Sequence, residues 1–291
     1  MPERAGPAMG DLLTASHLAT LEDLPRLLTV YGVTAALFDP AIYVADLQQQ
    51  YLVPIPGQVD SRDMDLVPVR VDTTPPGRAF RDADIVEVDP PRGLPEGMAG
   101  GRRLWVPMLD GTERVGVVGL TVPVADVADL RRAFWVASLV AILVVSKRDT
   151  SDTYADLVRM RPMGLSAEVL WNLLPAGTFA NEYVVVAAAL EPAYEVGSDA
   201  YDYGISGDRL LVYTDGVIEA QSPAGEQFGI DRFIDYIIRH EAAGLSAPET
   251  LRRLIQTILN YQEGHLQDDA TVLLVEWRTD RHGQLVPRAS R

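Results

Sequence analysis

Residues 207–220 read Gly-Asp-Arg-Leu-Leu-Val-Tyr-Thr-Asp-Gly-Val-Ile-Glu-Ala, and the C-terminal half is best interpreted from this stretch. Its apolar run ends at Tyr213 and is followed by Asp215 and Gly216, which predicts a buried strand that carries a carboxylate at its end. The glycine lets the chain turn sharply or lets another group come close. The other interpretation is a strand that ends in an Asp-Gly hairpin turn, which is the commoner meaning of this dipeptide.

Two further segments of the C-terminal half also place an acid beside an extended apolar run. Asp199 follows the apolar residues 183–190, and Asp268 and Asp269 lead directly into the apolar run 272–275. A carboxylate at the end of a strand is held still by the backbone hydrogen bonds of the sheet, as a metal ligand requires.

Four segments carry a resemblance to a known family: 173–175, 191–203, 213–220 and 267–275. They resemble the PP2C-like (PPM-type) serine/threonine phosphatases of the bacterial sporulation and stress-response group, the SpoIIE/RsbU-like proteins. The resemblance implies that Asp199, Asp215 and Asp268 bind a pair of Mg²⁺ or Mn²⁺ ions. It further implies hydrolysis of phosphoserine or phosphothreonine on a regulatory protein of the anti-sigma-factor antagonist type. Water is the nucleophile in this group, so no catalytic side chain is predicted.

The chain departs from the family pattern between the first two of these aspartates. Asp199 and Asp215 are only 16 positions apart, and the family's Asp-x-x-Gly-His-Gly segment, whose acid bridges the two metals, is absent from the sequence. The phosphatase domain is therefore expected to be shortened, with one metal or none in place of two. Asp202 and Asp208 are alternative ligands that lie nearby in sequence. A catalytically inactive sensor or scaffold with a remnant phosphatase domain is the competing hypothesis.

The composition fits a site made of carboxylates. Hard dications such as Mg²⁺ and Mn²⁺ prefer carboxylate and water oxygens. The chain has no cysteine, which excludes disulfides and thiolate metal sites, and its four histidines show no metal-binding spacing. The net charge of −16 argues against nucleic acid or an anionic membrane surface as a partner, because such surfaces are bound by surplus Lys and Arg.

Localisation is predicted from the apolar content of the chain. Residues 1–10 have no apolar core, so no signal peptide is expected. The most apolar run, 133–145, has 13 residues, whereas a membrane span needs about 20. A buried core helix and a cytoplasmic protein are the expectation, although basic residues on both sides of the run leave a membrane-associated helix as the alternative.

The N-terminal half resembles a GAF-like sensory domain in its order of elements. Helical spacing of leucines predicts one or two helices in 11–30, and a long helix is predicted over 124–148. Six strands are predicted between them, at 34–38, 42–47, 66–71, 85–88, 104–109 and 114–122. The last two are joined by Asp110-Gly111-Thr112, a hairpin signal. The resemblance implies a possible small-molecule ligand, but no ligand-specific residue stands out.

The predicted organisation is an α+β protein of two domains, since 291 residues suffice for two cores. A GAF-like domain (11–148) precedes a shortened PP2C-like α/β sandwich of antiparallel sheets flanked by helices (176–278). Segments 1–10 and 279–291 are predicted to be disordered or flexible. The connection, 149–175, is predicted to be helical with a break at Pro162. It either packs on its own domain or forms a homodimer that passes on the sensor's state.

Overall fold

The computed structural model describes residues 5–60, 63–89, 101–174, 177–180, 184–191, 194, 211–213, 217, 219–243, 245–264 and 270–277. The chain divides after Met160 into two compact units, whose main segments are Met1–Asp110 with Arg114–Met160, and Arg161–Leu285. Each unit contains one sheet with helices packed on it, and every described strand pairing is antiparallel. The predicted α+β class is therefore confirmed.

The first unit is built on a six-stranded sheet with the strand order β3-β2-β1-β6-β5-β4. Its strands are β1 (Phe38–Ala45), β2 (Tyr51–Pro54), β3 (Val69–Arg70), β4 (Val86–Val88), β5 (Arg102–Asp110) and β6 (Glu113–Val122). Its helices are α1 (Ala5–Ser16), α2 (Leu24–Gly32), α3 (Pro75–Asp82), α4 (Val127–Arg148) and α5 (Asp152–Val158). Gly111 takes a φ of 58° in the β5–β6 turn, which explains the glycine of the predicted hairpin.

Helix α4 covers one face of this sheet and forms the main core with it. Its buried side chains include Ala133, Val136, Val140 and Val144, which pack in one cluster with Leu104, Val106, Val118 and Leu120 of β5 and β6. Asp126 caps the helix by accepting a hydrogen bond from the Asp129 amide (2.8 Å), and Lys147 and Arg148 lie in the last turn. The apolar run 133–145 is therefore a core helix, as predicted.

The prediction of disorder over 1–10 is wrong for the described part of that segment. Helix α1 begins at Ala5 and continues to Ser16. Ala8 and Leu12 are 4% and 2% exposed and belong to the core cluster, so burial of apolar surface stabilises the helix. Lys147 holds the C-terminal end of α1 in place, because its Nζ donates to the carbonyl oxygens of Ser16 (2.9 Å) and Ala19 (2.5 Å).

Helix α3 lies against the other face of the sheet, which we call the outer face. The Thr74 hydroxyl caps the helix by accepting a hydrogen bond from the Gly77 amide (3.2 Å). Phe80 is fully buried in a second cluster with Tyr43, Val71 and Val117. A Cβ on Gly77 would lie 2.0 Å from the backbone oxygen of Val71, so glycine is needed for this close approach.

We expect Gly77→Ala to lower the free energy of unfolding by about 1–3 kcal/mol, because α3 must move away from the Val71 backbone. Urea unfolding followed by circular dichroism measures this change. Gly10→Ala is the matched control, since the space around Gly10 in α1 is open. Equal unfolding midpoints for the two variants would contradict the close approach.

The linker segment 149–175 contains two short helices, one on either side of Pro162. Helix α5 ends at Val158, whose carbonyl accepts from the Leu47 amide (3.0 Å), and α6 (Leu165–Leu173) begins after the break predicted at Pro162. The Gly164 amide donates to the Tyr194 carbonyl (3.4 Å) at the start of α6. The division between the units falls within this segment, and a homodimer formed through it stays a prediction.

The second unit has a four-stranded sheet with the order β7-β8-β10-β9. Its strands are β7 (Thr178–Ala180), β8 (Val184–Glu191), β9 (Leu211–Tyr213) and β10 (Ala270–Trp277). Its helices are α6, α7 (Ile230–Ala242) and α8 (Ala247–Tyr261). Strand β8 lies between two others, as its apolar sequence predicts. The predicted flexible tail, 279–291, lies outside the described residues.

Across the part of the chain that the structure describes, no helix is both long and apolar enough to span a membrane.

Candidate metal centre

The three predicted ligands, Asp199, Asp215 and Asp268, lie outside the described residues, as do the alternatives Asp202 and Asp208. The structure does describe the strands that these aspartates flank in the sequence. Asp215 follows the end of β9 by two residues, and Asp268 precedes the start of β10 by two residues. Asp199 follows the end of β8 by eight residues.

The register of the sheet brings these strand ends to the same edge. Glu191, the last residue of β8, is paired with Ala270, the first residue of β10. On the other side of β10, Tyr213, the last residue of β9, is paired with Val272. Both neighbours run antiparallel to β10, so the chain leaves β8 and β9 where it enters β10.

Helix α8 supports the middle of this sheet. Leu251, Leu254 and Ile258 recur on one face of the helix and are buried in one cluster with Val185 of β8 and Val272 of β10. Phe233 of α7 is fully buried in the same cluster. Core packing therefore fixes β8 and β10, the two strands that Asp199 and Asp268 flank in the sequence.

A cluster of charged side chains lies in the first turns of α8, and two of its members are buried. The Glu249 carboxylate accepts from Arg252 Nε (2.9 Å) and Nη2 (3.1 Å) and from Arg253 Nε (2.6 Å). The side chains of Glu249 and Arg252 are only 6% and 4% exposed. Such a cluster is tolerated only while all of its charges are compensated.

Ser246 and Glu249 have the sequence spacing of a capping box, which the structure does not form. Ser246 is the N-cap and Pro248 lies in the first turn, but the Ser246 side chain makes no capping hydrogen bond. The Glu249 carboxylate is held by the two arginines instead of reaching back to the helix start. The sequence Glu-x-x-Arg-Arg at 249–253 carries the helical spacing of this cluster, and that spacing is the signal that predicts it.

The loop 221–228, which follows β9 in the sequence, is anchored to helices α7 and α8. Gln221 and Gln227 form a β-bridge, and Phe228 is buried with its ring edge-on to Tyr261 (centroids 5.5 Å apart). The Tyr261 hydroxyl donates to the Glu226 carbonyl (2.9 Å) and accepts from Arg232 Nη1 (2.7 Å). The side chains of Glu226 and Arg232 also form an ion pair, which raises the pKa of Arg232.

The comparisons with known proteins bear on this unit first. Stage II sporulation protein E (SpoIIE) is the family whose model the chain matches, over residues 205–278. That segment is SpoIIE-like. It includes Asp215 and Asp268 and begins after Asp199. The match supports the resemblance to the PP2C-like group over this segment of the chain.

The chain is also similar to two solved GAF domains, both from phosphoenolpyruvate-protein phosphotransferases. The domain from Coxiella burnetii is 12% identical with a TM-score of 0.40, and the match covers 51% of this chain and 96% of that one. The domain from Acinetobacter is 11% identical with a TM-score of 0.40, and the match covers 51% and 98%. Both matches fall on the N-terminal region, for which the sequence predicts a GAF-like domain. No curated protein matches the chain.

His240, the described histidine of the SpoIIE-like segment, contacts Tyr236 of its own helix, α7. Its ring stacks on Tyr236 (centroids 3.9 Å apart), and Nδ1 lies 2.8 Å from the Tyr236 carbonyl oxygen. The Tyr236 hydroxyl lies 3.4 Å from Thr257 Oγ1, and burial raises the pKa of Tyr236. Among the described residues, no group of three or more His, Asp or Glu side chains is arranged to hold a metal.

Proposed function

We propose that this chain is a metal-dependent phosphoprotein phosphatase, with Asp199, Asp215 and Asp268 as ligands of Mn²⁺ or Mg²⁺. The observation that carries the proposal is the register of the second sheet. The ends of β8 and β9 meet the start of β10 at one edge, and each predicted ligand is tied to one of these ends. The SpoIIE match, which includes two of the three aspartates, supports it.

The reach of the chain supports a shared site for Asp215 and Asp268 more strongly than for Asp199. Two residues of extended chain span about 7 Å, so Asp215 and Asp268 stay close to Tyr213 and Ala270. Neighbouring strands place paired Cα atoms about 5 Å apart. The eight residues between Glu191 and Asp199 reach up to about 28 Å, so this ligand is restrained least.

The donor set fits a hard dication. Carboxylate oxygens are the ligands that Mg²⁺ and Mn²⁺ prefer. A bound dication would lower the pKa of a coordinated water and neutralise negative charge on the phosphoryl group. The three aspartates hold and orient the ion. Without it, gathered carboxylates repel one another.

The proposed substrate is phosphoserine or phosphothreonine on a small regulatory protein of the anti-sigma-factor antagonist type. The resemblance to the SpoIIE/RsbU-like group supports this substrate. The net charge of −16 disfavours a nucleic acid in its place.

A catalytically inactive sensor or scaffold is the second candidate function. The observation in its favour is the absence of the Asp-x-x-Gly-His-Gly segment from the sequence, because that acid sets the distance between the two metals in the family.

Release of phosphate from a phosphoserine peptide, with and without Mn²⁺, separates the two candidates. The phosphatase proposal expects manganese-stimulated release above a no-enzyme control. The absence of such release from the folded wild-type chain would overturn it and leave the scaffold.

A further inference from the structure

Arg103 is a buried cation on the outer face of the first sheet. It lies in β5, and 7% of its surface is exposed. Its Nη1 donates to the backbone oxygen of Asp39, to Asp39 Oδ2 (3.0 Å) and to Thr121 Oγ1 (3.2 Å). All of these hydrogen bonds involve one of its three nitrogens.

The opposite edge of the guanidinium makes no hydrogen bond to any residue that the structure describes. This edge carries Nε and Nη2, whose parallel N–H groups match the two oxygens of a carboxylate or phosphoryl group. Burial lowers the pKa of Arg103, and the Asp39 charge opposes that shift. A buried cation is stable when its remaining donors also find acceptors.

The residues around Arg103 hold its guanidinium against the Trp105 ring. Its guanidinium lies over the Trp105 ring, 4.9 Å from the centroid, and Tyr43 meets that ring edge-on at 5.8 Å. A Cβ on Gly119 would lie 2.4 Å from Arg103 Nη2 and 2.6 Å from the Trp105 ring, so glycine makes the room. The Trp105 ring and the missing side chain at Gly119 therefore fix the orientation of the guanidinium.

A backbone irregularity brings Asp39 to the same place. The register between β1 and β6 shifts between Phe38 and Ala41, and Asp39 takes a φ of 49°. Bulges of this kind redirect a side chain. The Asp39 side chain is 37% exposed, so solvent reaches the carboxylate that pairs with Nη1.

We propose that Arg103 binds the carboxylate or phosphoryl group of a small anionic ligand on the outer face of the first sheet. Nε and Nη2 donate hydrogen bonds to the oxyanion, Nη1 keeps its hydrogen bonds to Asp39 and Thr121, and Trp105 packs against the guanidinium. Asp39 keeps the affinity moderate, because its negative charge lies on the same cation. This proposal does not depend on the phosphatase activity of the second unit.

Indole N–H signals in ¹H–¹⁵N spectra of the full chain test this site. Inorganic phosphate and acetate are titrated separately at constant ionic strength, so that the two sources of the oxyanion are distinguished. The Trp105 indole signal is assigned with Trp105→Phe. We expect at least one anion to shift it saturably, and Arg103→Lys to weaken that binding about tenfold or more, because lysine cannot bind in the two-pronged manner.

Arg102→Lys is the matched control. Arg102 is the neighbouring, 45% exposed arginine, which pairs with Glu87 (2.9 Å), and its replacement is expected to leave the titration unchanged. Asp39→Asn is expected to tighten binding, because it removes the competing charge. A purely structural Arg103 would instead give no saturable shift with either anion, or equal shifts in wild type and Arg103→Lys, and either result overturns the proposal. Should Arg103→Lys fail to fold, the Asp39→Asn titration decides alone, and unchanged or weaker binding overturns the proposal.

Discussion

Asp215→Asn is expected to reduce manganese-stimulated phosphate release by about 10²–10³-fold, the usual effect of removing one group that stabilises transition-state charge. The amide keeps the size of the carboxylate but loses the charge that holds the ion. Asp215 follows β9 by two residues, so the substitution leaves the described sheet contacts in place. Initial rates with a phosphoserine peptide, with Mn²⁺ varied, measure the loss.

Asp231→Asn is the control for this experiment. Asp231 is an exposed residue in the first turn of α7 and is not among the predicted ligands. Its variant should keep the wild-type rate. Equal rates for Asp215→Asn and Asp231→Asn, in a chain that is active, would remove Asp215 from the site.

Glu249→Ala should give the largest loss of stability, about 3–5 kcal/mol in the free energy of unfolding. The substitution removes a carboxylate that accepts two hydrogen bonds from Arg252, whose side chain is 4% exposed, so a buried cation loses an ion pair. Urea unfolding followed by circular dichroism measures the change, with the transitions of the two units fitted separately because two-state behaviour is not expected of two compact units.

Asp235→Ala is the matched control on the neighbouring helix α7. Asp235 pairs with Arg239 at 3.1 Å, also within one helix, but the side chains are 67% and 76% exposed. Exposed pairs contribute about 0–1 kcal/mol, so this variant should unfold almost like the wild type. If the two variants lose equal stability, the Glu249 cluster has no special role in α8.

Local signals predicted much of the first unit. The run 133–145, the acid at Asp126 and the basic residues at the end of α4 all indicate one helix, and Asp110-Gly111 indicates the β5–β6 turn. Strand β2 (Tyr51–Pro54) was missed because it is short and ends in proline. The start of α1 was missed because its stability comes from burial of Ala8 and Leu12, which local composition does not reveal.

The candidate site depends on contacts that local sequence does not specify. The apolar runs predicted β8, β9 and β10, but the pairing of Glu191 with Ala270 is a long-range property of the sheet. The same holds for Glu249, because a glutamate three residues after a serine reads as a capping residue until the burial of Arg252 is known. For Asp199, Asp215 and Asp268 themselves, metal binding stays a prediction.

Binding of Mn²⁺ tests the central claim most directly, because it does not require the substrate. Loss of the free-ion signal in electron paramagnetic resonance measures the bound fraction as the protein is titrated. We expect saturable binding by the wild-type chain and by Asp231→Asn, and strongly weakened binding by Asp215→Asn and by Asp268→Asn. Binding of equal strength in all four proteins, or none in the wild type, would contradict a metal site shared by these aspartates.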